Sequence, residues 1–279
     1  MSCMKHVGLN VMADPVFTVS YIGTNGGLVF CVADDPGMHS SQNEQDSRHY
    51  AEAAKIPMLE PSNSEECKEF TRRAFALSEE FDAPFFIRLS TRVSHSQSLV
   101  ELKDAENAEL KPYEKNIPKN VMMPAMAKGR HVAVEKRMEK LREFAEGCEF
   151  NRIERNGSRI GIIAAGTTYV YAKEALGDKA DYLKLGLVYP LPDKMIRDFA
   201  ASVDELWCLE ELDPVIERAL TYVCGKYSLK TKIYVKLSGK VKTAGENTID
   251  SVCENIEDFL SKAPVGESAS GISSDVAPS

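Results

Sequence analysis

The chain has 279 residues, 43% of them hydrophobic, and a formal net charge of −8. That composition suits one large core or two moderate ones, and the acidic balance excludes a general attraction to nucleic acid or acidic lipid. No stretch reaches the roughly 18 apolar residues of a membrane helix, and the first residues lack the basic-then-apolar layout of a secretory leader, so a cytoplasmic protein is expected.

The first strong signal is the apolar run Leu28 to Ala33, which follows Gly26-Gly27 and stops at Asp34-Asp35-Pro36-Gly37. Continuous apolarity implies burial on both faces, as in a parallel sheet. Ile56 to Leu59 follows, then a helix with Cys67, Phe70, Ala74, Leu77 and Phe81 on one face, its start fitting a Ser62/Glu65 capping box. Pro84 to Leu89 reads as the next strand. Strand, helix, strand with short links implies a right-handed crossover in a parallel sheet.

From about Ser96 to Arg130 no period is sustained, and Pro112, Pro118 and Pro124 interrupt the stretch, which reads as an inter-domain arm. A helix follows, with Val134, Met138, Leu141, Ala145 and Cys148 on one face. The second alternation gives strands at Arg159 to Ala164, Tyr182 to Val188 and Glu205 to Leu209, with helices at Tyr169 to Leu176 and Lys194 to Ala201. Asp213 is positioned to cap a helix starting at Pro214. The fold class is therefore α/β, two parallel-sheet domains in tandem. Residues 263–279, small and polar, read as a flexible linker.

In a parallel sheet, ligands bind beyond the carboxyl ends of the strands. The loop from Asp34 to Tyr50 is dense in uncharged donors, among them His39, Ser40, Ser41, Gln42 and Asn43, which suit a carboxylate or a diphosphate. The same residues equally fit a Ser41/Glu44 capping box opening a solvated helix. In Lys5 to Asn10, a glycine beside His6 and Asn10 suits close approach to a flat ring, although an ordinary turn accounts for it more simply. Gly161-x-x-x-x-Gly166-Thr167-Thr168 lacks the lysine of a phosphate loop. Glu210-Glu211 reads as a pair of solvated loop carboxylates in preference to a catalytic acid. The five histidines have no metal-ligand spacing, so no metal held by this chain alone is expected. No two of the seven cysteines form a CxxC pair, which argues against an iron–sulfur cluster here and for reduced, half-buried thiols.

Three runs carry a family resemblance: MKHVGLNVMADP at 4–15, VADDPGMHSSQNEQDSRHYAEAAKIPMLEPS at 32–62 and RLSTRVSHS at 88–96. They closely resemble the large (alpha) subunit of indolepyruvate ferredoxin oxidoreductase, a thiamine-diphosphate enzyme of the 2-oxoacid:ferredoxin oxidoreductase family. The run Lys115 to Arg130 and the later GIIAAG, LGLVYPLP and CLEELDPVIE are also similar, so the resemblance extends to about residue 262. It implies that residues 1–100 are the later part of a pyrimidine-binding domain, 101–150 an inter-domain arm and helix, and 151–262 a transketolase C-terminal-like domain. The implied activity is oxidative decarboxylation of arylpyruvates to acyl-CoA with ferredoxin as electron acceptor. Its cofactor stabilises the carbanion left when carbon dioxide departs. The implied partners are a small (beta) subunit, a second large subunit, ferredoxin and coenzyme A.

The resemblance further implies cofactor binding by His6, Gly8 and Asn10, and substrate binding by His39, Ser40, Ser41, Gln42 and Asn43. Two features of the family are missing from this sequence: the stretch with the activating glutamate, and the diphosphate-binding domain with its GDG…N metal motif and cysteine cluster. Magnesium and iron–sulfur clusters are therefore expected only in the complete enzyme. No catalytic residue is assigned here, and the chain is expected to be a partial one, inactive alone. A pyruvate or branched-chain 2-oxo acid relative, or a non-catalytic assembly or coenzyme A-binding module, are the alternatives.

Overall fold

The computed structural model describes residues 1–104 and 112–260. The first half runs β1 (Ser2–Lys5), α1 (His6–Val11), α2 (Ala13–Ile22), β2 (Val29–Ala33), α3 (Arg48–Ala54), β3 (Met58–Leu59), α4 (Ser64–Glu80), β4 (Phe85–Leu89) and α5 (Thr91–His95). After α6 (Ile117–Asn120) and α7 (Pro124–Ala145) come β5 (Arg152–Glu154), β6 (Ile160–Ala165), α8 (Gly166–Leu176), β7 (Asp181–Leu185) and β8 (Leu187–Tyr189). The described chain ends with α9 (Asp193–Ala201), β9 (Glu205–Leu209), α10 (Val215–Lys226), β10 (Lys232–Tyr234) and α11 (Ile249–Leu260).

Two five-stranded sheets result, ordered β1-β2-β4-β3-β8 and β10-β9-β6-β7-β5. Each is parallel except for one antiparallel edge strand, β8 on β3 and β5 on β7. The two-parallel-sheet α/β expectation holds. The run Tyr182 to Val188, expected as one strand, is two: β7 lies in the second sheet and β8 in the first. The break falls at Gly186, where an added Cβ would lie 2.4 Å from the Phe150 carbonyl oxygen. Asn151 Oδ1 accepts from the Gly186 and Leu187 N–H groups, both at 2.9 Å, so the backbone stays satisfied as it changes sheets.

Three apolar layers follow from strand alternation. Phe30, Val32 and Phe86 on one face of the first sheet share a core with Ile163, Leu183 and Leu206 of the second, so the halves are welded rather than beaded. The other face of the first sheet packs Val29, Phe85 and Ile87 against α4 and α7, through Phe70, Leu77, Met138 and Leu141. The outer face of the second sheet packs Ile162 and Trp207 against α8 and α11. Helix α7 begins at Pro124, inside the stretch expected as an irregular arm, and covers the first sheet; Arg137 on it donates to the Asp82 and Ser20 carbonyls, each at 2.7 Å.

Two caps differ from expectation. Helix α4 is capped by Asn63, whose Oδ1 accepts from Glu66 N–H at 2.9 Å, while Ser62 donates to Glu66 rather than Glu65. Helix α10 is capped by Glu210 and not by Asp213: its carboxylate accepts from the N–H groups of Val215, Ile216 and Glu217. A carboxylate there also complements the helix dipole. The 263–279 linker expectation lies outside the described residues.

Candidate functional site

Strands β1 and β2 are parallel neighbours, with Lys5 opposite Ala33 at their carboxyl ends. Topology therefore delivers Lys5 to Asn10 and Asp34 to Tyr50 side by side. Asp35 organises the loop between β2 and α3. One of its oxygens accepts from His39 N–H and the Thr91 hydroxyl, and the other from Ser40 N–H and the Ser41 hydroxyl, at 2.6–3.2 Å. Burial opposes ionisation of this carboxyl, but the Ser41 and Thr91 hydrogen bonds outweigh it and hold Asp35 well below the usual carboxylate range. Lys5 Nζ donates to the Ser40 carbonyl at 2.8 Å and to Ser41 Oγ at 2.7 Å, tying β1 to the loop. No helix forms at Ser41 to Glu44, so the capping reading of that run fails; Glu44 instead accepts from Gly37 N–H at 2.7 Å, and φ of +82° at Gly37 makes the turn.

The sequence-derived candidates divide into held and free groups. His6 is buried on α1, and neither ring nitrogen has a hydrogen-bond partner among the described residues. Gly8 does not open onto free space: a Cβ there would lie 2.9 Å from Met4 Cβ, so close packing of α1 on β1 accounts for the glycine. Asn10 donates to Gln45 at 2.7 Å and accepts from the Tyr50 hydroxyl at 2.5 Å. Ser40, Gln42 and Asn43 are exposed, Asn43 accepting from Gln45 at 2.7 Å. His39 Nε2 lies 3.2 Å from Glu246, which also pairs with Arg92, so the loop before α11 reaches over the rim.

Beneath the rim lies a buried ionic seam that sequence reasoning missed. Arg88, at the carboxyl end of β4, donates to Asp34 at 2.7 Å and pairs with Glu60 at 2.7 Å. Arg48, at the start of α3, clasps Asp46 with Nε and Nη2 and reaches Glu210 with Nη1 at 2.6 Å; Nη2 also donates to the Glu211 and Asp213 carbonyls. Burial pushes the Asp34 carboxyl upward against the pull of Arg88. For Asp46, Arg48 and then Arg88 overcome the burial penalty and hold it low. Glu210 and Glu211 are 3% and 7% exposed, so the solvated-loop reading of that pair is overturned. Burial pushes Glu211 up to about 7, which the Asn247 N–H hydrogen bond and Arg88 only partly offset. Excess buried negative charge is thus relieved by a proton held near neutrality. The signal available in sequence was Arg88 itself, a lone charge ending the apolar run PFFIRL.

Asp46, His49 and Asp213 bring ligand atoms within 4.8 Å of one another. Both Asp46 oxygens already accept from Arg48, Oδ1 from Nε and Oδ2 from Nη2, so this grouping is an extension of the seam. Among the described residues no helix is long and apolar enough to cross a membrane.

No family model matches the chain. Curated relatives named indolepyruvate oxidoreductase subunit IorA do match. That of Archaeoglobus fulgidus is 40% identical over 222 residues, 78% of this chain and 36% of the relative. That of Methanothermobacter thermautotrophicus is 39% identical over 269 residues, 94% of this chain and 42% of the relative. That of Pyrococcus abyssi is 39% identical over 274 residues, again 42% of the relative. The chain thus spans about two fifths of their length. Among solved structures, a 2-oxoglutarate:ferredoxin oxidoreductase from Magnetococcus marinus, with 2-oxoglutarate, coenzyme A and succinyl-CoA bound, superposes with a TM-score of 0.62 at 14% identity, covering 92% of this chain and 52% of that one. A split-gene transketolase superposes with a TM-score of 0.54 at 13% identity, covering 94% of this chain and 76% of that one. These two likenesses show the fold.

Proposed function

The chain is homologous, over most of its length, to about two fifths of the indolepyruvate oxidoreductase subunit IorA, and from that premise we propose that it supplies the rim of a thiamine-diphosphate site for oxidative decarboxylation of an arylpyruvate. The identity of 39% across 94% of the chain carries this reading. Residues 1–100 then serve as part of the pyrimidine-binding domain, and 151–262 as the transketolase C-terminal-like domain. The complete assembly includes a small beta subunit and a second large subunit, acts in the cytoplasm, and passes two electrons through iron–sulfur clusters to ferredoxin while coenzyme A takes the acyl group. Magnesium and the clusters are held by other parts of that assembly.

The residues present fit the cofactor at one point: His6 is buried with two unpartnered ring nitrogens, one able to donate and one to accept. Thiamine diphosphate, when bound, supplies the electron sink for the carbanion. His6 would hold its pyrimidine, with Gly8 and Asn10 shaping the adjoining helix. His39, Ser40, Gln42 and Asn43 present exposed donors suited to a 2-oxo acid carboxylate, while the Ser41 hydroxyl, already donating to Asp35, fixes their backbone. In the complete enzyme, His39→Ala is expected to lower turnover at least tenfold, about 1.4 kcal/mol in the barrier. Unchanged kinetics with indolepyruvate would remove His39 from the site, and failure of the complete enzyme to bind thiamine diphosphate in a calorimetric titration would remove the reading itself.

A further inference from the structure

Three cysteines far apart in sequence converge on one face of the first sheet. Cys3 in β1 and Cys31 in β2 are direct partners in the parallel register. Side chains alternate along a strand: Phe30 and Val32 enter the core shared by the two halves, and Val29 faces the helical layer of α4 and α7. Cys31, two residues from Val29, faces that same layer, and its in-register partner Cys3 does likewise. Helix α4 carries Cys67. On top of burial, Cys3 and after it Cys67 lie close enough to Cys31 to raise its thiol electrostatically. Cys3 is exposed, Cys31 buried and Cys67 between the two.

We propose that Cys3 and Cys31 are a redox-modification site that closes to a disulfide on reaction with a hydroperoxide and reopens with a dithiol. In the first step the exposed Cys3 thiol attacks the peroxide: its sulfur gains one oxygen to become the sulfenic acid, the O–O bond breaks, and the alcohol or water leaves. In the second, the Cys31 sulfur displaces hydroxide from that sulfenic acid, and the Cys31 proton leaves with it as water. The dithiol is oxidised by two electrons and the peroxide reduced by two. Burial pushes the Cys31 thiol up to about 12, so it waits protonated and acts as the resolving partner.

Neighbouring strands lie about 4.8 Å apart, within the roughly 4.4–6.8 Å Cα separation that a disulfide spans, so in-register cysteines on β1 and β2 can be bridged without rearranging the sheet. The position of the bond gives it consequence. Cys3 precedes Lys5 by two residues and Cys31 precedes Asp34 by three, so the bond sits directly beneath both segments of the candidate site. The inference stands on the register of β1 and β2 and does not depend on the proposed function.

The test is non-reducing peptide mapping of the full chain after treatment with hydrogen peroxide. Trypsin cuts after Lys5, so the expected product is peptide 1–5 joined to peptide 6–48 at the combined mass less two hydrogens, lost on adding dithiothreitol. Cys3→Ser should abolish it and Cys67→Ser should leave it in place. The proposal is overturned if peptide 1–5 is recovered unlinked while Cys3 is driven to sulfinic acid, if it is joined instead to the Cys67 peptide 56–68, or if the urea-unfolded chain gives the 1–5/6–48 product as readily as the folded one.

Discussion

The rim and the seam lie a few residues apart in sequence and behave oppositely. The seam is over-determined: Arg48 is fully buried, and its guanidinium meets two carboxylates and two carbonyls drawn from both halves of the chain. The rim is held at its base by Asp35 and Lys5, but its tips at His39, Ser40, Gln42 and Asn43 are exposed. The difference teaches a division of labour. Groups that must not move spend their hydrogen bonds inside the protein, and groups left with open hydrogen-bonding capacity are the ones that can recognise a ligand.

The comparison breaks most visibly at Arg48. Arg48→Ala strands Asp46 and Glu210 as buried charges and is expected to cost about 3–5 kcal/mol in urea unfolding, whereas a loss below about 1 kcal/mol would put the pair in the class of surface salt bridges. Glu211 acts in the other direction. Its folded pKa of about 7 lies above the ordinary carboxyl value of 4.5, so the native state binds the proton more tightly. Stability from this group is complete below about 4.5, falls as pH rises toward 7, and stays lower above it. Glu211→Gln keeps an acceptor for Asn247 N–H and removes the titration, so it should stabilise the chain by up to about 3 kcal/mol at pH 8 and by little at pH 4.5. Parallel pH profiles of the melting temperature for the variant and the parent would contradict this.

How far the sequence reaches follows from the same distinction. Apolar runs located β2, β4, β6 and β9 because a doubly covered strand writes its burial into consecutive residues. The loop run His39 to Asn43 was visible as a cluster of donors for the same local reason. Arg48 was not, because its partners Glu210 and Glu211 lie more than 160 residues away and a polar loop looks alike whether buried or wet. Gly186 shows a third limit. Periodicity sees one apolar segment from Tyr182 to Val188, and only the Phe150 backbone pressed against the glycine reveals that it serves two sheets. Lys184, buried in β7 and paired with Glu66, was likewise hidden, since its partner comes from α4.

Asp35 sits at the border between the two regions. Asp35→Asn keeps one acceptor oxygen but loses the charge that binds the Ser41 and Thr91 hydroxyls and the His39 and Ser40 N–H groups, so a cost of about 1–3 kcal/mol is expected. Because its folded pKa is depressed, that contribution is present above the ordinary aspartate value of 3.8 and fades as pH falls below it. Hydrogen exchange at residues 39–41 should quicken in the variant while exchange in β2 does not, and equal acceleration of both would mean that Asp35 belongs to the seam.

The smallest stability effect is expected at His39. Its side chain is 37% exposed, and its contact, Glu246, keeps Arg92 as a partner when the imidazole is removed. His39→Ala should therefore change unfolding free energy by no more than about 0.5 kcal/mol. That near-silence is what makes the residue informative. A side chain that contributes nothing measurable to the fold, yet whose removal slows the complete enzyme, has its function outside the chain's own packing, whereas a loss of stability comparable to Asp35→Asn would show that the Glu246 strap is structural and that slowed turnover reports a loosened rim.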